Sequence, residues 1–237
     1  NLSHTKINDF TKIIEKIRNY STVPICIDTE GAQIRTGEFI GGSIYLEENQ
    51  ILKICRQSTL GNKQNFNLYP NGIIDHINIG DLIKIDFNAV LVQVIDKTKN
   101  YIRIRVLSRG LIGSNKAVSL DKNIYLPPLT KKDKKAISYA RDLNIQHFAL
   151  SFANCSNDVD KLISLVGKKK YIISKIESTD GLKNIENICL ASDAILIDRG
   201  DLSRQVPIEK IPFLQQRIIS SSRARDTEVF VATNLLE

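Results

Sequence analysis

Apolar residues at Ile7, Phe10, Ile13, Ile14 and Ile17, with Lys and Glu between them, follow helical spacing and predict a helix over 7–20. Pro24 then precedes a short apolar run, Ile25-Cys26-Ile27, of the kind that forms a buried strand. The alternation returns after Tyr125. Thr130 is placed to cap a helix running through Arg141, and the run from His147 to Phe152 follows as a strand. Helices over 157–166, 181–190 and 208–225 alternate with strands over 171–176, 194–197 and 229–232. Fully apolar strands, each followed by an amphipathic helix, imply a parallel sheet covered on its faces. This rhythm points to an α/β barrel. A doubly wound open sheet is the alternative, but no G-x-G-x-x-G follows the first strand to support it.

Between Gly37 and about Asn123 the pattern changes to alternating, β-branched runs: 82–87, 90–94 and 101–106. Helical spacing vanishes there, and turn sequences such as Tyr69-Pro70-Asn71-Gly72 and Lys97-Thr98-Lys99-Asn100 separate the runs. An antiparallel β domain inserted into the α/β unit is expected, in a place suited to a lid.

Composition narrows the field. Lys and Arg number 33 against 26 Asp and Glu, a net charge of +7, and 42% of residues are hydrophobic, so the chain is neither disordered nor simply polybasic. Its 237 residues suffice for two cores. No run approaches the roughly 18 consecutive apolar residues of a membrane span, and no signal-peptide pattern opens the chain, so no membrane partner is expected. Cys26, Cys55, Cys155 and Cys189 form no C-x-x-C pair, and His4, His76 and His147 lie far apart. That removes zinc-finger, disulfide-framework and Ser-His-Asp readings. The lysine runs 131–135 and 168–170 have only Tyr139 and Tyr171 near them, which reads as solvated surface rather than nucleic-acid binding. The chain contains no Met, and it is therefore expected to be an excerpt of a longer protein.

In a βα barrel, chemistry sits at the carboxyl ends of the strands. Polar residues end each strand here: Asp28 and Thr29, Ser151, Lys175 and Glu177, then Arg199, Gly200 and Asp201, and finally Thr233. Asp28-Thr29 with Arg35 suits a metal-bridged phosphate and an arginine clamp, or equally a capped turn and a surface arginine. Lys175 and Glu177, two apart on a strand, share one face, either as a plain ion pair or as catalytic groups. Adding Asp201 favours a Mg²⁺ site in which the lysine neutralises developing charge. Backbone amides near Gly200 and Asp201 would cradle an anion, or form a loop glycine and a helix cap.

Taken together, these tips resemble the pyruvate kinase family. Asn1-Leu2-Ser3-His4 is similar to its N-x-S-H segment, and residues 28–37, DTEGAQIRTG, to its D-T-K-G-P-E-I-R-T-G. Residues 113–118 resemble the stretch closing the inserted domain, and Leu126-Pro127 the return to the barrel. Residues 172–177, 199–202 and 232–237 match I-I-S-K-I-E, R-G-D-L and A-T-Q-M-L-E. Departures include Glu30, Ala32, Gln33, Ala117, Ser119, Asp121, Ser203 and Gln205, with Asn154 at the family's arginine position. The resemblance covers the whole chain.

It implies an α/β fold: a TIM (β/α)₈ barrel, incomplete in this chain, with an inserted antiparallel β domain. The barrel would comprise 1–37 and 124–237 and the lid 38–123, with the first strands, the eighth strand and a C-terminal regulatory domain lying in the longer protein. The implied activity is the glycolytic transfer of a phosphoryl group from phosphoenolpyruvate to ADP. By this likeness Lys175 stabilises the phosphoryl group and enolate, Glu177 and Asp201 bind Mg²⁺ or Mn²⁺, and Arg35 grips the phosphate. Gly200, Asp201 and Thr233 hold the carboxylate, with Thr233 near the carbon that is protonated. Asn1, Ser3, Asp28 and Thr29 form a K⁺ site, while His4, Arg35 and Lys116 meet the nucleotide. A homotetramer in the cytoplasm is implied for the full-length protein. A catalytically weak relative that binds anionic metabolites or partners is the alternative.

Overall fold

The computed structural model describes residues 1–86, 89–122 and 124–232. Two compact units emerge, one built from Asn1–Ala32 and Pro127–Glu237 and the other from Gln33–Leu126. Helix α1 (Phe10–Tyr20) leads into β1 (Cys26–Asp28) of the first unit. The second unit follows with β2 (Ile34–Thr36), β3 (Ser43–Leu46), β4 (Ile51–Cys55), β5 (Asn65–Tyr69), β6 (Leu82–Ile85), β7 (Val90–Lys97), β8 (Tyr101–Ser108), β9 (Gly110–Gly113) and β10 (Ala117–Leu120). On its return the chain forms α2 (Lys131–Asp142), β11 (His147–Leu150), α3 (Ser156–Val166), β12 (Tyr171–Ile176), α4 (Thr179–Lys183) and α5 (Ile185–Ala191). It continues through β13 (Ala194–Asp198), α6 (Arg199–Leu202), α7 (Ile211–Arg223) and β14 (Glu228–Ala232).

The first unit's strands form one parallel sheet in the order β1-β11-β12-β13-β14. Alternation along the strands sorts its two faces. Ile27, Phe148, Leu150, Ile172, Ile176, Ile195 and Ile197 enter one core with Ile137, Val159, Leu162, Ile188 and Ile218 from the helices. Lys175, lying between Ile172 and Ile176 in this alternation, stands on the opposite face. Helix α2 starts where expected, because Thr130 accepts from the Asp133 amide and Asp133 reaches back to the Thr130 amide, a reciprocal cap.

Three helices differ from the sequence expectation. The predicted helix over 181–190 is two, α4 and α5, broken at Asn184, whose side chain donates to the Asn154 carbonyl at 2.8 Å. The predicted helix over 208–225 opens as a 3₁₀ turn, Ile208–Lys210, and Pro212 lies in the first turn of α7, where its missing N–H costs nothing. The helix expected over 7–20 likewise begins as a 3₁₀ turn, Ile7–Asp9.

In the second unit, seven strands close a barrel in the order β10-β2-β5-β4-β8-β7-β6, and β3 pairs with β9 in a separate ribbon. Its core is a second cluster, including Leu46, Leu52, Ile54, Phe66, Ile83, Val92, Ile102 and Ile104. The barrel is not wholly antiparallel, since β4 runs parallel to β5. The unit also starts before residue 38, because β2 is hydrogen-bonded to β5 and β10 within it.

Candidate active site

Strand register gathers polar groups at one end of the parallel sheet. Asp28 pairs with Ala149, Ala149 with Ile173, and Lys175 with Leu196, so Asp28, Ser151, Lys175 and Asp198 fall on the same face at the carboxyl ends. The Lys175 ammonium lies 3.1 Å from Glu177 Oε1, 3.3 Å from Asp28 Oδ1, 4.0 Å from Asp198 Oδ2 and 3.4 Å from Ser151 Oγ. Lys175 is 8% exposed and Glu177 1%. Burial works against the Lys175 ammonium, but the attraction of Glu177, Asp28 and Asp198 outweighs it and holds its pKa above the usual lysine range.

Glu177 has the opposite balance. Burial pushes its carboxyl up to about 8, against the pull of Lys175, and the nearby Asp201 charge pushes further. Its Oε2 accepts from the Phe152 amide at 2.7 Å. That donor points inward because Phe152, just past β11, adopts a left-handed φ of 53°.

Asp198 closes β13 and caps α6, its Oδ1 accepting from the Asp201 amide at 3.2 Å. That amide, one of the two read as an anion cradle, is therefore already used by the cap. The Asp201 carboxylate takes an Arg204 guanidinium contact at 2.9 Å, and the Gly200 carbonyl accepts from Ser203 Oγ at 2.7 Å. One oxygen each from Glu177, Asp198 and Asp201 lies within 4.8 Å of the others, the one such group among the described residues. Asp198 was not singled out from the sequence. The strand there was expected to end at Ile197, whereas extending the apolar alternation of Ile195 and Ile197 by one residue places Asp198 beside Lys175.

The residues expected at a monovalent-cation site also meet. Asn1 Nδ2 donates to Asp28 Oδ2 at 2.7 Å, and Asn1 Oδ1 accepts from the Ser3 amide at 2.8 Å. Thr29 Oγ1 accepts from the Ser151 amide at 2.9 Å, while Ser151 Oγ donates to the Thr29 carbonyl at 2.7 Å. Ser151, a strand-end residue to which no role was assigned, thus joins this group to Lys175. His4 is exposed. Beneath the group, Lys132 Nζ donates to the Leu2 carbonyl at 2.5 Å and to Glu30 Oε1 at 2.8 Å. The buried Asp133 accepts from the Glu30 amide at 2.8 Å, so α2, β1 and the Asn1–Thr5 turn are locked together.

Gly31 is where this loop cannot carry a side chain. Its φ is +72°, and a Cβ there would lie 2.5 Å from the Ser151 carbonyl oxygen. Gly31→Ala is expected to lower stability by about 2 kcal/mol or more, read as a shift of the chemical-denaturation midpoint. An unchanged midpoint would show that the loop relaxes freely.

Two expected residues belong to the second unit. Arg35, in β2, donates from Nη1 to the Asn115 carbonyl at 2.9 Å, and Lys116 Nζ lies 3.1 Å from Asp86 Oδ2. Thr233 lies outside the described residues.

Hard carboxylate oxygens beside a buried lysine fit a divalent cation such as Mg²⁺ or Mn²⁺. The carboxylate, hydroxyl and amide oxygens of Asp28, Thr29 and Asn1 have the donor chemistry of a K⁺ site. What fold and site define is a βα chain with an inserted β barrel and a lysine–carboxylate centre at the carboxyl ends of its parallel strands. A family model of the pyruvate kinase barrel domain matches residues 1–237. Plastidial pyruvate kinase 2 of Arabidopsis thaliana is 28% identical over all of this chain and 42% of its own length. A pyruvate kinase of Buchnera aphidicola is 32% identical over 89% of this chain and 46% of its own length. The crystal structure of Cryptosporidium parvum pyruvate kinase superposes with a TM-score of 0.91 at 32% identity, covering 100% of this chain and 53% of that one. The chain belongs to the pyruvate kinase family, and it spans about half the length of the curated relatives it matches.

Proposed function

We propose that the protein is a pyruvate kinase, transferring the phosphoryl group of phosphoenolpyruvate to ADP. The observation that carries this reading is the buried Lys175 ammonium set among Asp28, Glu177 and Asp198. In the reaction the bond from phosphorus to the enol oxygen breaks and one to an ADP phosphate oxygen forms; the enolate left behind takes a proton at carbon to give pyruvate. Lys175 meets the negative charge that develops on the transferred group and the enolate, a role suited to an ammonium held charged by its neighbours. Glu177 and Asp201 hold Mg²⁺, which when bound offsets phosphoryl charge as a Lewis acid. Asn1, Ser3, Asp28 and Thr29 hold K⁺. By family likeness Arg35, His4 and Lys116 serve phosphate and nucleotide, Gly200 the carboxylate, joined by Asp201 once its amide leaves the Asp198 cap, and Thr233 the carboxylate and the protonated carbon. The same reading carries a homotetrameric full-length protein in the cytoplasm; among the described residues no helix is long and apolar enough to cross a membrane.

The test is steady-state pyruvate formation from phosphoenolpyruvate and ADP by the full-length protein with Mg²⁺, with and without K⁺. Turnover supports the reading. A folded protein that binds phosphoenolpyruvate without turnover would instead be an anion-binding relative.

A pH dependence follows from Glu177. Its folded-state pKa, about 8, is above the ordinary 4.5, so between those values the folded chain binds more protons than the unfolded one. Its contribution to stability is full below 4.5 and is lost as pH rises through 8. The thermal midpoint in chelator is expected to fall from pH 6 to pH 8, and added Mg²⁺ to raise it more at pH 8, where no proton must be displaced. Equal Mg²⁺ stabilisation at both values would contradict this.

A further inference from the structure

We propose that Asp198 is a third carboxylate of the divalent-cation site and strengthens its hold on the cation. The inference rests on the proposed cation site and deepens it. Three observations place Asp198 there. Strand β13 ends on it, two residues beyond Leu196, the partner of Lys175, so it shares the Lys175 face. One of its carboxylate oxygens lies within 4.8 Å of ligand atoms on both Glu177 and Asp201. Its Oδ2 is 4.0 Å from the Lys175 ammonium, which the carboxylates of Asp28 and Glu177 already flank.

Spacing and charge agree. Mg²⁺ holds oxygens at about 2.1 Å in an octahedron, which puts adjacent ligands about 3 Å apart and opposite ones about 4 Å, so this trio, within 4.8 Å, closes on the ion through side-chain shifts of about 1–2 Å. Asp28, Glu177 and Asp198 flank a single lysine, and Asp201, with Arg204 beyond it, adjoins Glu177 and Asp198, a carboxylate-rich grouping that a divalent cation suits. Mg²⁺ is commonly held by one or two protein carboxylates and completed by substrate phosphate. A third protein carboxylate adds to the protein's own share of that coordination.

The competing role is purely local, since Asp198 also caps α6 through the Asp201 amide. The two roles separate by substitution. Asparagine caps a helix as well as aspartate does but carries no charge, whereas alanine does neither. The experiment is Mn²⁺ binding to the full-length protein without substrate, followed by electron paramagnetic resonance, for wild type, Asp198→Asn and Asp198→Ala. Thermal midpoints in chelator run alongside. Wild type is expected to bind Mn²⁺ without phosphoenolpyruvate, and both variants to bind at least about 10-fold more weakly, with the midpoint of Asp198→Asn unchanged. Wild-type Mn²⁺ affinity in Asp198→Asn would overturn the inference, as would a wild type that binds Mn²⁺ only with phosphoenolpyruvate. Turnover does not enter this readout. Asp198-dependent Mn²⁺ binding in a protein without turnover would sink the kinase reading alone, and turnover with Asp198-independent binding would sink this inference alone.

Discussion

Lys175→Ala is expected to lower pyruvate formation by about 10³-fold or more, because among the described residues no other ammonium lies among Asp28, Glu177 and Asp198 to meet the developing charge. The substitution has a structural cost too. Three carboxylates lose the cation they share, and removing one member of a buried ion pair typically costs about 3–5 kcal/mol. Thermal midpoints with and without Mg²⁺ therefore accompany the assay, so that lost activity is not mistaken for lost fold. Lys175→Arg separates charge from shape. Its larger planar fork does not reproduce the compact point charge set among these carboxylates, and little activity is expected to return. Substantial activity in a folded Lys175→Ala protein would show that the lysine is only a structural counter-ion.

Glu177→Gln is the second large effect. Glutamine still offers an oxygen to the Phe152 amide, so the turn after β11 keeps its partner, but the charge is gone. Cation binding is expected to weaken at least about 10-fold and turnover to fall about 10²-fold or more. Stability should move the other way. Burial already disfavours the Glu177 carboxylate, so in chelator at pH 8 the variant is expected to melt no lower than wild type, and the fall in midpoint between pH 6 and pH 8 should shrink. A variant that binds Mn²⁺ like wild type would remove Glu177 from the cation site.

Much of this was legible in the sequence because its patterns are local. Strand β12 matched the predicted range, since the apolar run Tyr171–Ile176 has clear ends, and Thr130 marked the start of α2. The break at Asn184 was not legible, because it depends on a hydrogen bond to the distant Asn154 carbonyl. Nor was the parallel β4–β5 pair, since alternation shows which face is buried but not which strand lies alongside. At the site, strand-end position and family likeness together picked out Lys175, Glu177 and Asp201. Asp198 escaped because the strand was ended one residue early, and Ser151 because a serine carries little signal without its neighbours. The bridge that Lys132 makes to both the Leu2 carbonyl and Glu30 joins residues more than a hundred positions apart, and no local pattern reveals it.

The most direct measurement is phosphorus NMR of phosphoenolpyruvate and ADP mixed with the full-length protein and Mg²⁺, beside Lys175→Ala at equal concentration. The account predicts that the phosphoenolpyruvate signal decays and ATP signals grow with wild type, while both stay unchanged over the same interval with Lys175→Ala. A folded wild type that leaves phosphoenolpyruvate intact, or a variant that converts it equally fast, would contradict it.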